Sequence, residues 1–263
     1  MANKQPVIGI VGGMGPLAGV ILCSQIMACT EARTDQQHLS VILMSFPKDI
    51  ADRTAFLEGR DRQNPGYQIA GVINNLVGAG ASLIGIACNT SHSEEIFGVI
   101  SEELDRINRK AGPGRIVRLL HMPMETCRYV KDRHPEISRV GIMVTNGTYR
   151  AGIYARPLTA MGYEVIMPDP VFQDEVIHRM VYDPHIGIKA NPNRRDLKLE
   201  MLKEEAIQFF RRKHTDAIIL GCTEFSQVFK ETMIDGMFII DSSLALAKAL
   251  VREGSLTKME TTI

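Results

Sequence analysis

The chain has no excess of charge in either direction: 30 Lys and Arg balance 30 Asp and Glu across 263 residues. A nucleic-acid partner is therefore not expected, because phosphate recognition leaves a basic footprint. No charge run forms a tail, and no stretch is low-complexity. There is no CxxC and no paired zinc-type spacing, so no metal site is expected. The five cysteines, Cys23, Cys29, Cys88, Cys127 and Cys222, are odd in number and widely scattered. With no export signal in view, that argues against a disulfide framework and for free thiols in a reducing, cytoplasmic setting. A long unbroken apolar run is also missing. Residues 6–29 come nearest, but Gly12-Gly13-Met14-Gly15-Pro16 interrupts them, and only Lys4 supplies a basic flank. A strand, a glycine turn and a helix explain that segment better than a signal peptide or a membrane span.

What the chain does have is 45% hydrophobic residues and 22 glycines, the make-up of a globular protein large enough to bury a core. Short apolar runs read as buried strands: Val7 to Val11, Leu39 to Ser45, Leu83 to Ala87, Val140 to Val144, Glu164 to Met167, Ala217 to Leu220 and Phe238 to Ile240. Between them lie helical patterns near Leu17 to Cys29, Tyr67 to Val77, Glu94 to Arg109, Pro123 to Arg133, Thr148 to Met161, Phe172 to Met180, Arg195 to Lys213 and Ser243 to Val251. This alternation predicts an α/β fold built of right-handed βαβ units with parallel sheets.

Two motif pairs share almost one offset. Val7 to Gly15 resembles Arg139 to Gly147 at an offset of 132, and Ile84 to Thr90 resembles Ile218 to Thr223 at 134. That spacing, near half the chain, points to an internal duplication. The expectation is two pseudo-symmetric three-layer α/β/α domains with the active site in the cleft between them. The first comprises 1–114 plus about 235–263, and the second 115–234. The boundary falls near Pro113-Gly114, and Asp183 to Asn193 reads as a functional loop or lid.

Cys88 and Cys222 each follow an apolar strand and precede a helix start. In parallel sheets, ligands bind at the carboxyl ends of strands. Ser91-His92-Ser93-Glu94 reads as a capping box and Thr223 as a cap, so each thiol would face a helix N-terminus that favours its thiolate. The other three cysteines fall within helical patterns and read as small buried hydrophobes. Two thiols at equivalent positions would flank a shared cleft. That arrangement suits racemisation, in which one base removes an α-proton and an acid on the opposite face returns one. Gly13-Met14-Gly15-Pro16-Leu17-Ala18 formally fits a dinucleotide fingerprint, which keeps a nucleotide-dependent oxidoreductase in view. The following strand, however, ends Met44-Ser45-Phe46 without the acidic residue such enzymes need. The loop reads better as a source of backbone N–H groups for a carboxylate.

The residues Gly12 to Pro16, Asp52 to Leu57, Cys88-Asn89-Thr90, Thr145 with Thr148, Ile188-Lys189 and Gly221-Cys222-Thr223-Glu224 together resemble the aspartate/glutamate racemase family over nearly the whole chain. The resemblance implies an isomerase that needs no pyridoxal phosphate or other cofactor, with Cys88 and Cys222 as its acid–base pair and commonly a homodimer. It implies that Arg53 holds one substrate carboxylate and that Lys189 binds an acidic substrate. Met14, Asn89, Thr90, Thr145 and Thr223 complete the expected pocket, with Glu224 in support. A guanidinium suits bidentate binding of a carboxylate. Glu224 resembles the aspartate branch, since the glutamate enzymes typically carry His there. His92, four residues after Cys88, reads as a partly exposed helix residue. Ala51, Ala87 and Ser91 depart from the family's common Pro, Pro and Ala, which leaves substrate choice open. L-/D-aspartate is the leading substrate expectation, with glutamate or a broader amino-acid range as the alternative. Hydantoin racemases, maleate isomerases and a non-catalytic amino-acid sensor remain rivals. The arylmalonate decarboxylase branch uses one cysteine, and the two here argue against it.

Overall fold

The computed structural model describes residues 5–111, 116–191 and 196–255. It contains two sheets. The first runs in the order β2-β1-β3-β4, with β1 Ile8–Gly12, β2 Val41–Ser45, β3 Leu83–Ile86 and β4 Arg118–Leu120, all parallel. The second runs β6-β5-β7-β9-β8, with β5 Arg139–Met143, β6 Glu164–Ile166, β7 Ala217–Leu220, β8 Met233–Ile234 and β9 Met237–Asp241. Only β8 is antiparallel there. The fold class is therefore α/β with parallel-dominated sheets in two similar units. β1 matches β5, β2 matches β6, β3 matches β7 and β4 matches β9.

Helices cover both faces of each sheet. On the first sheet, α1 (Pro16–Cys29) and α11 (Ser242–Ser255) pack Leu22, Ile26, Leu246 and Leu250 against Ile8, Ile10 and Leu83. On its other face, α3 (Gly66–Gly78) and α4 (Glu94–Ala111) bring Ile69, Ile73, Ile96 and Ile100 to Val11, Ile84 and Ile86. On the second sheet, α10 (Leu197–Arg212) and a helical stretch over 170–182 bury Phe210, Ile177 and Met180 against Met143, Ile218 and Leu220. Opposite them, α5 (Met122–Arg133) and α7 (Ala155–Ala160) place Val130, Cys127 and Leu158 on Val140, Ile142 and Ile219. Strands apolar on both faces are what a sheet covered twice requires.

The expected boundary at Pro113-Gly114 lies outside the described residues. Beyond it, at two places in the chain, the units exchange helices. β4 joins the first sheet, yet α5, which follows it, packs on the second. β9 joins the second sheet, yet α11 packs on the first. This corrects the expectation that the last strand crosses back along with its helix: Phe238, Ile239 and Ile240 pair with Ala217, Ile218 and Ile219. It also moves Arg118–Leu120 out of the second unit, where it had been expected.

Other departures have local causes. The single helix read over Thr148 to Met161 is two, α6 (Asn146–Ala151) and α7, because Gly152 ends α6 in the left-handed region at φ 64°. The segment read as Phe172 to Met180 is α8 (Pro170–Phe172), a π-helical Gln173–His178 and α9 (Arg179–Tyr182), opened by Asp169 capping Val171 and Phe172. A short helix, α2 (Arg53–Leu57), begins where Asp52 accepts from the Ala55 N–H at 2.7 Å. No helix among the described residues is long and apolar enough to cross a membrane.

Candidate active site

In each sheet the strand order reverses between the first and third strands of the unit, β1 with β3 and β5 with β7. Such a switch point leaves a crevice at the carboxyl ends of the strands. Gly12 ends β1 and Cys88 follows β3; Thr145 follows β5 and Cys222 follows β7. The loop after β1 turns sharply at Gly13, whose φ is 94° and where an added Cβ would lie 2.9 Å from the Phe46 nitrogen. Pro16 then opens α1.

The two crevices face each other and share one cavity. Its lining is Met14, Arg53, Cys88, Asn89, Thr90, Thr145, Tyr182, Lys189, Cys222, Thr223 and Glu224. All ten expected residues are therefore in one place, together with Tyr182, which carried no motif. As it stands, the cavity would hold about one water molecule. Contacts between the units that close it include Thr90 Oγ1 to Thr148 Oγ1 at 2.9 Å and Tyr182 Oη donating to Asp52 Oδ2 at 3.3 Å. A wider depression outside, lined by Gly13, Gly15, Pro16, Leu17, Ala18, Ile188 and Gln227, shares Arg53, Lys189 and Glu224 with the inner cavity.

The surroundings of the two thiols differ in charge. Arg53 lies beside Cys88 and is buried. One Nη donates to the Ala51 carbonyl at 3.0 Å, and its buried Nε has no partner. A guanidinium with an unused buried donor lining a cavity is equipped for an anionic ligand. Cys222 instead donates to Glu224 Oε2 at 2.9 Å. Burial, then the charge of Glu224, push the Cys222 thiol well up, with Lys189 opposing. Burial alone would raise the Glu224 carboxyl too, but Lys189 and the Cys222 thiol hold it below the usual carboxylate range. Burial favours a neutral Lys189, and the charge of Glu224 outweighs it, so the ammonium is retained.

Several expected roles need revision. The helix-dipole account of the thiols fails, because short 3₁₀ turns follow both: Thr90–His92 after Cys88 and Phe225–Gln227 after Cys222. The capping box is also absent: α4 begins at Glu94, Ser91 Oγ donates to Met14 Sδ, and Ser93 Oγ is buried without a partner. Thr223 caps no helix; its hydroxyl donates to Glu224 Oε2 at 3.3 Å. The Gly15 N–H, expected to meet a ligand carboxylate, donates to Glu224 Oε1 at 3.2 Å. Asn89 is tied between Tyr154, whose hydroxyl donates to its Oδ1, and Ser242, which accepts from its Nδ2 at 3.0 Å. Its side chain fixes the Cys88 loop more than it offers donors to a ligand.

His92 is buried rather than partly exposed. Its Nε2 accepts from the Met122 N–H at 3.3 Å, so Nδ1 carries the proton and donates to the Cys88 carbonyl at 2.9 Å. Burial, then His121, lower its pKa to about 3. Its unfolded value is 6.5, so the unfolded chain binds a proton that the native one refuses. The contribution is complete above pH 6.5 and is lost as pH falls from there toward 3. Stability is expected to drop by about 1.4 kcal/mol per pH unit in that window from this residue. Urea unfolding at neutral pH and at two acidic points, for the native protein and His92→Asn, measures it; the variant has the shallower slope.

The match to known proteins agrees with this architecture. The model of the Asp/Glu/Hydantoin racemase family covers residues 11–250, and the chain belongs to that family. Among solved structures, the aspartate racemase of Picrophilus torridus is 27% identical with a TM-score of 0.75, covering 95% of this chain and 94% of that one. An aspartate racemase homologue from Pyrococcus horikoshii OT3, 21% identical with a TM-score of 0.69, shares the fold over 96% of this chain and all of its own. The glutamate racemase of Aquifex aeolicus is 27% identical over 180 residues, 67% of this chain and 60% of that protein's length. The chain thus matches about three fifths of that curated relative.

Proposed function

We propose that this protein is a cofactor-independent racemase of acidic amino acids, with aspartate as its first substrate. The observation that carries the proposal is the meeting of Cys88 and Cys222, from equivalent strand ends, in one cavity with Arg53 and Lys189. In one direction a thiolate takes the α-proton: the Cα–H bond breaks, an S–H bond forms, and the electron pair spreads into the α-carboxylate. Arg53 stabilises that developing charge. The other thiol then gives its proton to the opposite face of Cα. Lys189 receives the distal carboxylate. The aspartate racemase likeness supports the shorter substrate, and the glutamate racemase relative makes glutamate the alternative.

The five free thiols support a reducing, cytoplasmic setting. A homodimer is part of the proposal. α1 contains no charged residue and leaves Val20 and Met27 half exposed on its outer face, as a surface meeting a second copy would.

The test is proton NMR of the purified protein with L-aspartate in D₂O, followed by chiral chromatography. Loss of the α-proton signal with D-aspartate appearing is the expected result. Binding of aspartate without exchange would make the protein a sensor on this fold. A parallel glutamate sample sets the chain-length preference.

A further inference from the structure

Lys189 and Glu224 line both the outer depression and the inner cavity, so they stand on the way to the thiols. Their side chains are 25% and 5% exposed. The Glu224 carboxylate receives four donors. Oε1 takes the Lys189 ammonium at 3.0 Å and the Gly15 N–H at 3.2 Å; Oε2 takes the Cys222 thiol at 2.9 Å and the Thr223 hydroxyl at 3.3 Å. Three of these are fixed by backbone or by adjacency in the chain. Lys189 alone sits on a long flexible stem. Its nitrogen also lies 5.3 Å from the centre of the Tyr182 ring, which gives it a second resting contact within the cavity. An ammonium already neutralised by a buried carboxylate is a weak receptor for another anion. An entering dicarboxylate has to compete with Glu224 for it.

We propose that Lys189 is handed from Glu224 to the distal carboxylate of an acidic substrate, and that Glu224, left without its cation, takes the proton of Cys222. This rests on the racemase reading above. The step balances within the site: the Cys222 S–H bond breaks with its electron pair left on sulfur, and an O–H bond forms at Glu224 Oε2. Cys222 is then the base for one enantiomer. In the other direction it donates its proton to Cα and recovers one from Glu224. The hand-over makes acidity of the substrate a condition of turnover as well as of binding. A neutral amino acid cannot draw Lys189 away, so Cys222 keeps its proton.

Two measurements on Glu224→Gln decide the matter: calorimetry with succinate, an unreactive dicarboxylate, and steady-state racemisation. Succinate is expected to bind about ten-fold more tightly than to the native protein, because Lys189 has no competing carboxylate. Over the same substitution kcat falls at least about 100-fold while KM also falls. A residue with only a structural role would not tighten binding while slowing turnover. Unchanged or weaker succinate binding overturns the hand-over, and unchanged kcat overturns the proton step. Glu224→Asp covers a misfolded glutamine variant. Its carboxylate is one methylene shorter and is not expected to serve Lys189 and Cys222 together, so either succinate binding tightens or kcat falls; if both stay at the native values, the proposal is overturned. Native protein that racemises neither aspartate nor glutamate overturns the racemase reading and the proton step with it, while the succinate comparison still decides the hand-over.

Discussion

Cys88→Ser and Cys222→Ser are each expected to lower kcat for racemisation by at least about 10³-fold. A serine hydroxyl fits the volume of either buried thiol but stays protonated at neutral pH, so it neither takes nor returns the α-proton. In the proposed mechanism each enantiomer needs one residue as base and the other as acid. The pair therefore acts as a unit, and the double variant is expected to be no slower than either single one. Chiral chromatography of timed reactions gives the rates, and circular dichroism shows that the fold is kept. Normal turnover in either single variant would eliminate the two-thiol mechanism.

Arg53→Met is expected to move activity and stability in opposite directions. Methionine roughly keeps the volume but removes the charge that lies beside Cys88 and, in the proposed mechanism, meets the α-carboxylate. A desolvated charge contact of this kind is worth roughly 3–4 kcal/mol, so kcat/KM should fall by about 10²–10³-fold. Arg53→Lys is not expected to restore it, because one ammonium cannot reproduce a two-pronged grip on a carboxylate. At the same time, the native protein buries the Arg53 Nε without a partner. Removing that group should stabilise the fold by about 1–3 kcal/mol. A thermal melt of the variant alongside its kinetics tests both signs. A lower melting temperature would mean that the guanidinium serves the fold instead of the ligand.

The sequence made the framework legible where strands are buried on both faces. Val7 to Val11, Leu83 to Ala87, Val140 to Val144 and Ala217 to Leu220 announce themselves as unbroken apolar runs, and the structure has strands there. β4 escaped because it is three residues long at a sheet edge and carries Arg118. β8, with two residues, is shorter still. α2 went unread as a helix although Asp52 to Leu57 served as a motif, because five residues give periodicity no room to show. Met14, the two cysteines and the Asn and Thr residues beside them meet in one cavity because they follow strand ends, whereas Arg53 on α2 and Lys189 in the loop after α9 were placed there by motif alone. What local sequence could not convey is pairing across distance. Lys189 and Glu224 are 35 positions apart, and Tyr182 and Asp52 are 130 apart. The dipole argument failed because it assumed that each strand runs straight into a long helix, whereas 3₁₀ turns follow both thiols.

The exchange of α5 and α11 bears on how such a chain could arise. Each sheet has one face completed by the helix that follows the last parallel strand of the other unit. A half-length ancestor folded alone would have left that face only partly covered, by the counterpart of α1 or α7. Two copies trading their terminal helices would have covered both faces, and joining them end to end gives the connectivity seen here. The chain has the topology of a domain-swapped homodimer fused into one polypeptide, with α4 in one half and the β8–β9 hairpin in the other as the places where the halves differ.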